Sequence, residues 1–322
     1  MIATIARELK NNDDFLLATH VNPDGDAIGS LNALALVLED MGKRVVAYCQ
    51  DEVPVFLRFL TYSDRILNEI PPQAQFQVAV VLDCGELDRI GNVVEVLHHV
   101  EKIIHIDHHS SSNDFGQLNL VLPERSSTAE ILYEIFKAIP VSLNREAAEN
   151  IYAAILTDTG SFRFGNTTAN ALALAAEMVS LGVAPEKVAA EIYESMRPER
   201  LQLLSLSLNT LTLRADGRLA AMLVSQDMLE QTGTTFMDTD GFVNYPRALS
   251  DTKVAVFFRE MASDQVNVSL RSRGGLNVAE FARRYQGGGH HNAAAFRARG
   301  SLSEVVEKVL AAAERFIAGG VQ

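Results

Sequence analysis

No apolar run in the sequence approaches the roughly 20 residues that a membrane span requires, so a transmembrane role is set aside. The N-terminal stretch MIATIARELKNNDD has neither the basic flank nor the apolar core of a signal peptide. Cysteine occurs twice, as Cys49 and Cys84, too few for a disulfide framework and in keeping with a reducing cytoplasm. There is no Pro- or Gln-rich tract and no tandem repeat at solenoid or propeller periods. Positive charge is short as well: 28 Lys and Arg face 41 Asp and Glu, a net charge of −13. That is the wrong field for coating a long polyanion. The expectation is a soluble cytoplasmic chain whose partners include neither membranes nor long duplex nucleic acid.

What is present is a chain of 322 residues, 48% hydrophobic, long enough for more than one core. The acidic balance is uneven. Residues 265–300 hold six arginines (Arg271, Arg273, Arg283, Arg284, Arg297 and Arg299) against a single acid, Glu280. An acidic chain with one basic stretch suits a small anionic ligand.

The first half alternates β-rich runs (15–19, 44–49, 78–83 and 102–107) with helical patterns such as 27–40, where Ile28, Leu31, Leu34, Ala35 and Leu38 share a face. This is the rhythm of a largely parallel α/β sheet. Residues 127–208 read as almost wholly helical. Strands return at 219–224, 253–259 and 265–271, the last two pairing antiparallel, and helices at 277–285 and 301–318. The latter starts with a capping-box spacing from Ser301 to Glu304. The fold class expected is α/β, with an N-terminal parallel-sheet domain over 1–195, a linker at 196–212 and a smaller α+β domain over 213–322.

In a parallel sheet, ligand sites gather beyond the carboxyl ends of the strands. His20, Asp24 and Asp26 follow the first strand in HVNPDGDAIGS. Asp83 ends VAVVLDCG, Asp107, His108 and His109 end KIIHIDHHSSS, and Asp158 lies in ILTDTGSFRF where a helix gives way to a Gly-Ser loop. Each acid alone reads as an N-cap or turn former. Together, four segments deliver carboxylate or imidazole to one sheet edge, and such crowded charge calls for a cation. Carboxylate and imidazole without thiolate favour Mn2+, with Mg2+ as the alternative. The number of donors suits two ions sharing a carboxylate. Gly25 is expected to permit a sharp turn between two ligand carboxylates, and Gly287–Gly289 to offer amides to an anion. His98 and His99 read as surface histidines, His105 as support for the site, Asp88 and Asp114 as loop acids, and Asp238 and Asp240 as turn and cap.

These four motifs in order resemble those of the DHH phosphoesterase superfamily, and RSRGGLNVAEFARRYQGGGHHNAAAF resembles the DHH-associated C-terminal domain. With TDGFVNYPR, the resemblance extends to the NrnA-type subgroup and covers roughly residues 13–300. It implies His20, Asp24 and Asp83 on one Mn2+ and Asp26, Asp83, His108 and Asp158 on the other, with Asp83 as the bridge. It further implies that Asp107 orients the neighbouring imidazoles, that His109 contacts the substrate phosphate, and that Arg271, Gly287, Gly288, Gly289 and His290 hold the nucleotide. Ala295 stands where family members often have glycine.

The activity so implied is hydrolysis of short oligoribonucleotides to 5'-mononucleotides and of 3'-phosphoadenosine 5'-phosphate (pAp) to AMP, by in-line attack of a hydroxide shared between the ions. A cleft between the two domains would then measure the ligand. A cyclic- or linear-dinucleotide phosphodiesterase is the alternative. A RecJ-like exonuclease and a non-catalytic nucleotide sensor follow behind it. Oligomeric state stays open, a homodimer included.

Overall fold

The computed structural model describes residues 1–71, 73–97, 99–261 and 264–319, and for His290 the backbone but not the side chain. It divides into two compact units, Met1–Ser195 and Met196–Gln322. In the first, the elements are α1 (Ile2–Asn11), β1 (Asp14–Ala18), α2 (Gly25–Asp40), β2 (Arg44–Tyr48), β3 (Val78–Leu82), α3 (Val94–Leu97), β4 (Lys102–Asp107), β5 (Leu118–Val121), α4 (Thr128–Lys137), α5 (Arg145–Asp158), α6 (Ala169–Ser180) and α7 (Pro185–Tyr193). The five strands form a parallel sheet in the order β2-β1-β3-β4-β5.

Both faces of this sheet are covered, which is why its central strand is an unbroken apolar run. Val78, Val80 and Leu82 face α1, α2, α4 and α5, while Ala79 and Val81 face a second cluster with Cys84, Ile90 and Val93. Ile28, Leu31, Leu34, Ala35 and Leu38 of α2 are all buried. At roughly 1.5–3 kcal/mol for each large side chain buried, that face fixes the helix start, and with it Asp24 and Asp26.

The second unit carries α8 (Pro198–Leu208), β6 (Thr212–Arg214), β7 (Leu219–Val224), α9 (Gln226–Thr232), α10 (Asn244–Arg247), β8 (Val254–Met261), β9 (Gln265–Ser272), α11 (Val278–Arg283), β10 (Gly288–His290), β11 (Ala293–Arg299) and α12 (Leu302–Gly319). Its mixed sheet runs β10-β11-β9-β8-β7-β6. β8 and β9 pair antiparallel and β7 and β8 parallel. The stretch 196–212, read from the sequence as a linker, is largely helix α8. Its Leu203 and Leu204 are buried with Met222, Leu229, Phe242 and Phe257. At the start of α12, Ser301 N and Oγ both bond the Glu304 carboxylate. Asp238 closes a capping box with Thr235, the turn role expected of it.

Candidate metal centre

Strand order decides the centre of the cluster. β3 lies between β1 and β4, so the residue that follows it is reached from both sides. That residue is Asp83, buried and left-handed at φ 54°, a conformation Asp tolerates better than most side chains. Its Oδ2 lies 3.6 Å from His20 Nε2, and its Oδ1 lies 3.6 Å from His108 Nε2 and 3.5 Å from His109 Nδ1. Two sets of potential ligand atoms, each within 4.8 Å of one another, therefore share it: His20, Asp24 and Asp83, and Asp83, His108 and His109.

His108 Nε2 also stands 3.7 Å from Asp26 Oδ2 and 3.7 Å from Asp158 Oδ2. Three carboxylates thus converge on one imidazole nitrogen, whose ring is held from behind by Nδ1 at 3.3 Å from the Arg125 carbonyl. Burial works against charge on His108, but Asp158, Asp83 and Asp26 outweigh it and push its pKa up to about 9. Burial, reinforced by Asp26 and Asp24, holds the Asp83 pKa well above the usual carboxylate range. Burial likewise carries that of Asp158 to about 7. At an effective dielectric near 20, two like charges about 4 Å apart repel by roughly 4 kcal/mol. A cluster with this much negative charge fits divalent cations, and the donors are hard oxygens and imidazoles. The neighbouring Cys84 thiol is pushed up to about 12 by burial and does not join them.

Each ligand candidate is held by its element. Asp24 caps α2, its Oδ1 accepting from Asp26 N and Ala27 N, so the helix-cap reading and the ligand reading hold together. Asp26 sits at the N-terminus of α4: its Oδ2 accepts from Thr128 N at 2.6 Å and its Oδ1 from Ala129 N at 3.1 Å and Ser30 Oγ at 3.0 Å. Asp158 ends α5, and Asn166 Nδ2 donates to its Oδ2 at 3.1 Å. Asp107 Oδ1 accepts from His108 N, His109 N and, at 2.7 Å, His109 Nδ1. Burial opposes charge on Asp107, yet the His109 hydrogen bond and charge drive its pKa far below the ordinary value. His105 is wholly buried, with Nε2 3.0 Å from the Cys84 carbonyl and its ring stacked on Phe115. Burial lowers its pKa, so it braces the loop after β3 as a neutral ring.

Two glycine expectations are corrected. Gly25 makes no sharp turn. It lies in the first turn of α2, where an added Cβ would stand 2.2 Å from Thr157 Oγ1, so the need is close packing of α2 on α5. Gly287 does not offer its amide to an anion: its N–H bonds the Ala282 carbonyl, Gln286 N bonds Arg283, and Gln286 takes the left-handed φ of 60°. This is a Schellman cap on α11. A Cβ at Gly287 would lie 2.3 Å from the Ala295 carbonyl, and one at Gly289 2.4 Å from that of Ala293. Gly288 and Gly289 are paired into β10–β11, Gly288 opposite Ala295.

Arg271, on β9, pairs with Ala293, which pairs in turn with His290, so all three share one cross-strand row. The His290 side chain lies outside the described residues, as does His98. Burial lowers the pKa of Arg271 and brings that of Arg259, on the same sheet face, to about 10. Thr128 and Asn166 escaped the sequence reading. Ser127 caps α4, its Oγ accepting from Glu130 N, a helix-start spacing that the sequence does display, but nothing local points that start at Asp26 and Asp83.

Residues 14–155 match the DHH family, N-terminal domain, and residues 219–319 match the DHHA1 domain. Similar proteins include the bifunctional oligoribonuclease and PAP phosphatase NrnA of Thermus thermophilus, 37% identical over 305 residues, 92% of this chain and 88% of that one. The NrnA of Bacillus subtilis is 31% identical over 293 residues, 90% and 91% of the two chains. Among solved structures, an exopolyphosphatase-related protein from Bacteroides fragilis has a TM-score of 0.89 at 28% identity, covering 98% of this chain and 95% of that one. The chain belongs to the DHH family and, within it, to the NrnA-type phosphoesterases. It is a phosphoric ester hydrolase.

Proposed function

We propose that the protein hydrolyses short oligoribonucleotides to 5'-mononucleotides and pAp to AMP, using two Mn2+ ions. The observation that carries this reading is the Asp83 carboxylate, one oxygen toward His20 and the other toward His108. His20, Asp24 and Asp83 would hold one ion, and Asp26, Asp83, His108 and Asp158 the other. Bound there, the ions would supply water acidic enough to ionise near neutral pH and neutralise charge on the phosphoryl oxygens.

The chain's own residues do the positioning. Asp107 Oδ1 accepts a hydrogen bond from His109 Nδ1, which keeps the ring proton on Nδ1 and would aim the other ring nitrogen at a phosphoryl oxygen. The α4 N-terminus and Thr128 lock Asp26 and Asp83. Asn166 locks Asp158. In the second unit, Arg271 and β10 (Gly288–His290) would hold the nucleotide, with the guanidinium on phosphate. The substrates are the ones that the names of the Thermus and Bacillus relatives carry. No helix among the described residues is long and apolar enough to cross a membrane, and both cysteines are free and buried, which supports a reducing cytoplasm as the compartment.

Manganese-loaded protein is to be incubated with pAp, a linear dinucleotide, a short and a long RNA oligomer and cyclic di-AMP, and kcat/KM compared. The reading predicts highest values for pAp and short RNA, with every activity lost together in Asp83→Ala. Preference for cyclic di-AMP would replace it with the cyclic-dinucleotide reading, and binding of pAp without turnover would replace it with a sensor.

A further inference from the structure

Arg89 has no part in the roles assigned above. It lies in a 3-10 segment, Leu87–Val93, that is kinked at Gly91 and anchored by buried Ile90 and Val93. Val21 N donates to Arg89 O at 2.7 Å, and Arg89 N donates to Glu86 O at 3.0 Å. The backbone is thereby tied to the loop after β1, while the residue itself is exposed. Its Nη2 lies 3.4 Å from His20 Nδ1. That nitrogen is no acceptor for it: His20 Nδ1 is 2.9 Å from the Val21 carbonyl and so carries the ring proton, which leaves Nε2 to face Asp83. Two donors meet. Among the described residues, no carboxylate forms an ion pair with Arg89, although Asp24 and Asp83 belong to the same cluster as His20.

We propose that Arg89 binds the substrate's phosphoryl group, its guanidinium fork taking two non-bridging oxygens beside His20. The inference rests on the phosphoesterase reading and deepens it by naming the side chain that receives the anion. An acid-rich cluster repels a polyanionic substrate, and a planar, permanently charged donor pair offsets that repulsion in a way a lysine point charge does not. The competing role is structural: Arg89 could serve to hold the His20 ring, in which case its loss would cost metal rather than phosphate.

The test uses full-length wild type, Arg89→Ala and Arg89→Lys. Bound manganese is counted by elemental analysis, and AMP binding to the manganese-loaded proteins is measured by calorimetry. Steady-state kinetics with pAp follow. Arg89→Ala is expected to keep its manganese, to bind AMP at least about tenfold more weakly, and to lose kcat/KM on the order of 10²-fold. Arg89→Lys is expected to lie nearer the alanine variant than wild type. Unchanged AMP affinity in Arg89→Ala, loss of manganese in step with AMP binding, or wild-type affinity in Arg89→Lys would each overturn the proposal. The AMP measurement needs no turnover, so a wild type that cleaves none of the phosphoesters sinks the functional reading while the Arg89 comparison still reports.

Discussion

Thr128 Oγ1 donates a 3.1 Å hydrogen bond to Asp83 Oδ1, on the oxygen that also faces His108. The same residue's N–H holds Asp26, so one helix start disciplines two carboxylates of the cluster. Thr128→Val keeps the shape and removes the hydroxyl donor. The expected result is manganese binding weakened about tenfold or more, as for lost outer partners of metal ligands, with little change in thermal stability. Calorimetric titration of manganese checks it, and an unaltered affinity would show that the hydroxyl is incidental.

On the proposed reading, metal binding and proton release are coupled at this cluster. The His108 pKa is raised to about 9 and that of Asp158 to about 7, and the two titrate as one cluster. Both shifts mean that the metal-free folded state holds more protons than the unfolded chain, so its stability falls as pH rises. For His108 the contribution is complete below its unfolded value near 6.5 and lost as pH passes about 9. Ligation has to displace those protons. Melting of the EDTA-treated protein should therefore weaken from pH 6.5 toward 9, while apparent manganese affinity climbs over the same range. A flat affinity across that window would contradict the arrangement.

Gly25→Ala places a methyl against Thr157 and must displace the start of α2. Overpacking of this kind costs about 1–3 kcal/mol. Because Asp24 and Asp26 ride on that turn, manganese affinity should fall along with the melting temperature. A variant that melts lower but binds manganese normally would separate packing from the site.

Arg271→Ala should raise KM for pAp and short RNA more than it lowers kcat, since it removes binding rather than chemistry. An unchanged KM in steady-state assays would count against a role for Arg271 in holding the nucleotide.

The parallel sheet was legible because β3 and β4 are short apolar runs that end in acid, and α2 announces itself by its buried period. Asp83 as the centre of the cluster was harder to derive from residues alone. It follows from β3 lying between β1 and β4, a pairing order that no local pattern encodes. Helix α1 and strand β5 went unread, being short and dependent on tertiary burial of Ile5 and Leu9, and of Leu120. From the sequence Gly25 suggests a sharp turn and Gly287 an amide offered to an anion, whereas both are required by what packs against them, which a sequence does not display. Likewise α8 looked like a linker, because Leu203 and Leu204 show their worth only once Phe242 and Phe257 are brought beneath them.

The most direct test is a manganese titration of metal-free protein, followed by electron paramagnetic resonance, with wild type and Asp83→Ala side by side. Two ions per chain are expected, the signal of the first collapsing through exchange coupling as the second arrives, and Asp83→Ala should abolish that coupling. A single ion, or two uncoupled ions indifferent to the loss of Asp83, would contradict the shared carboxylate on which the account turns.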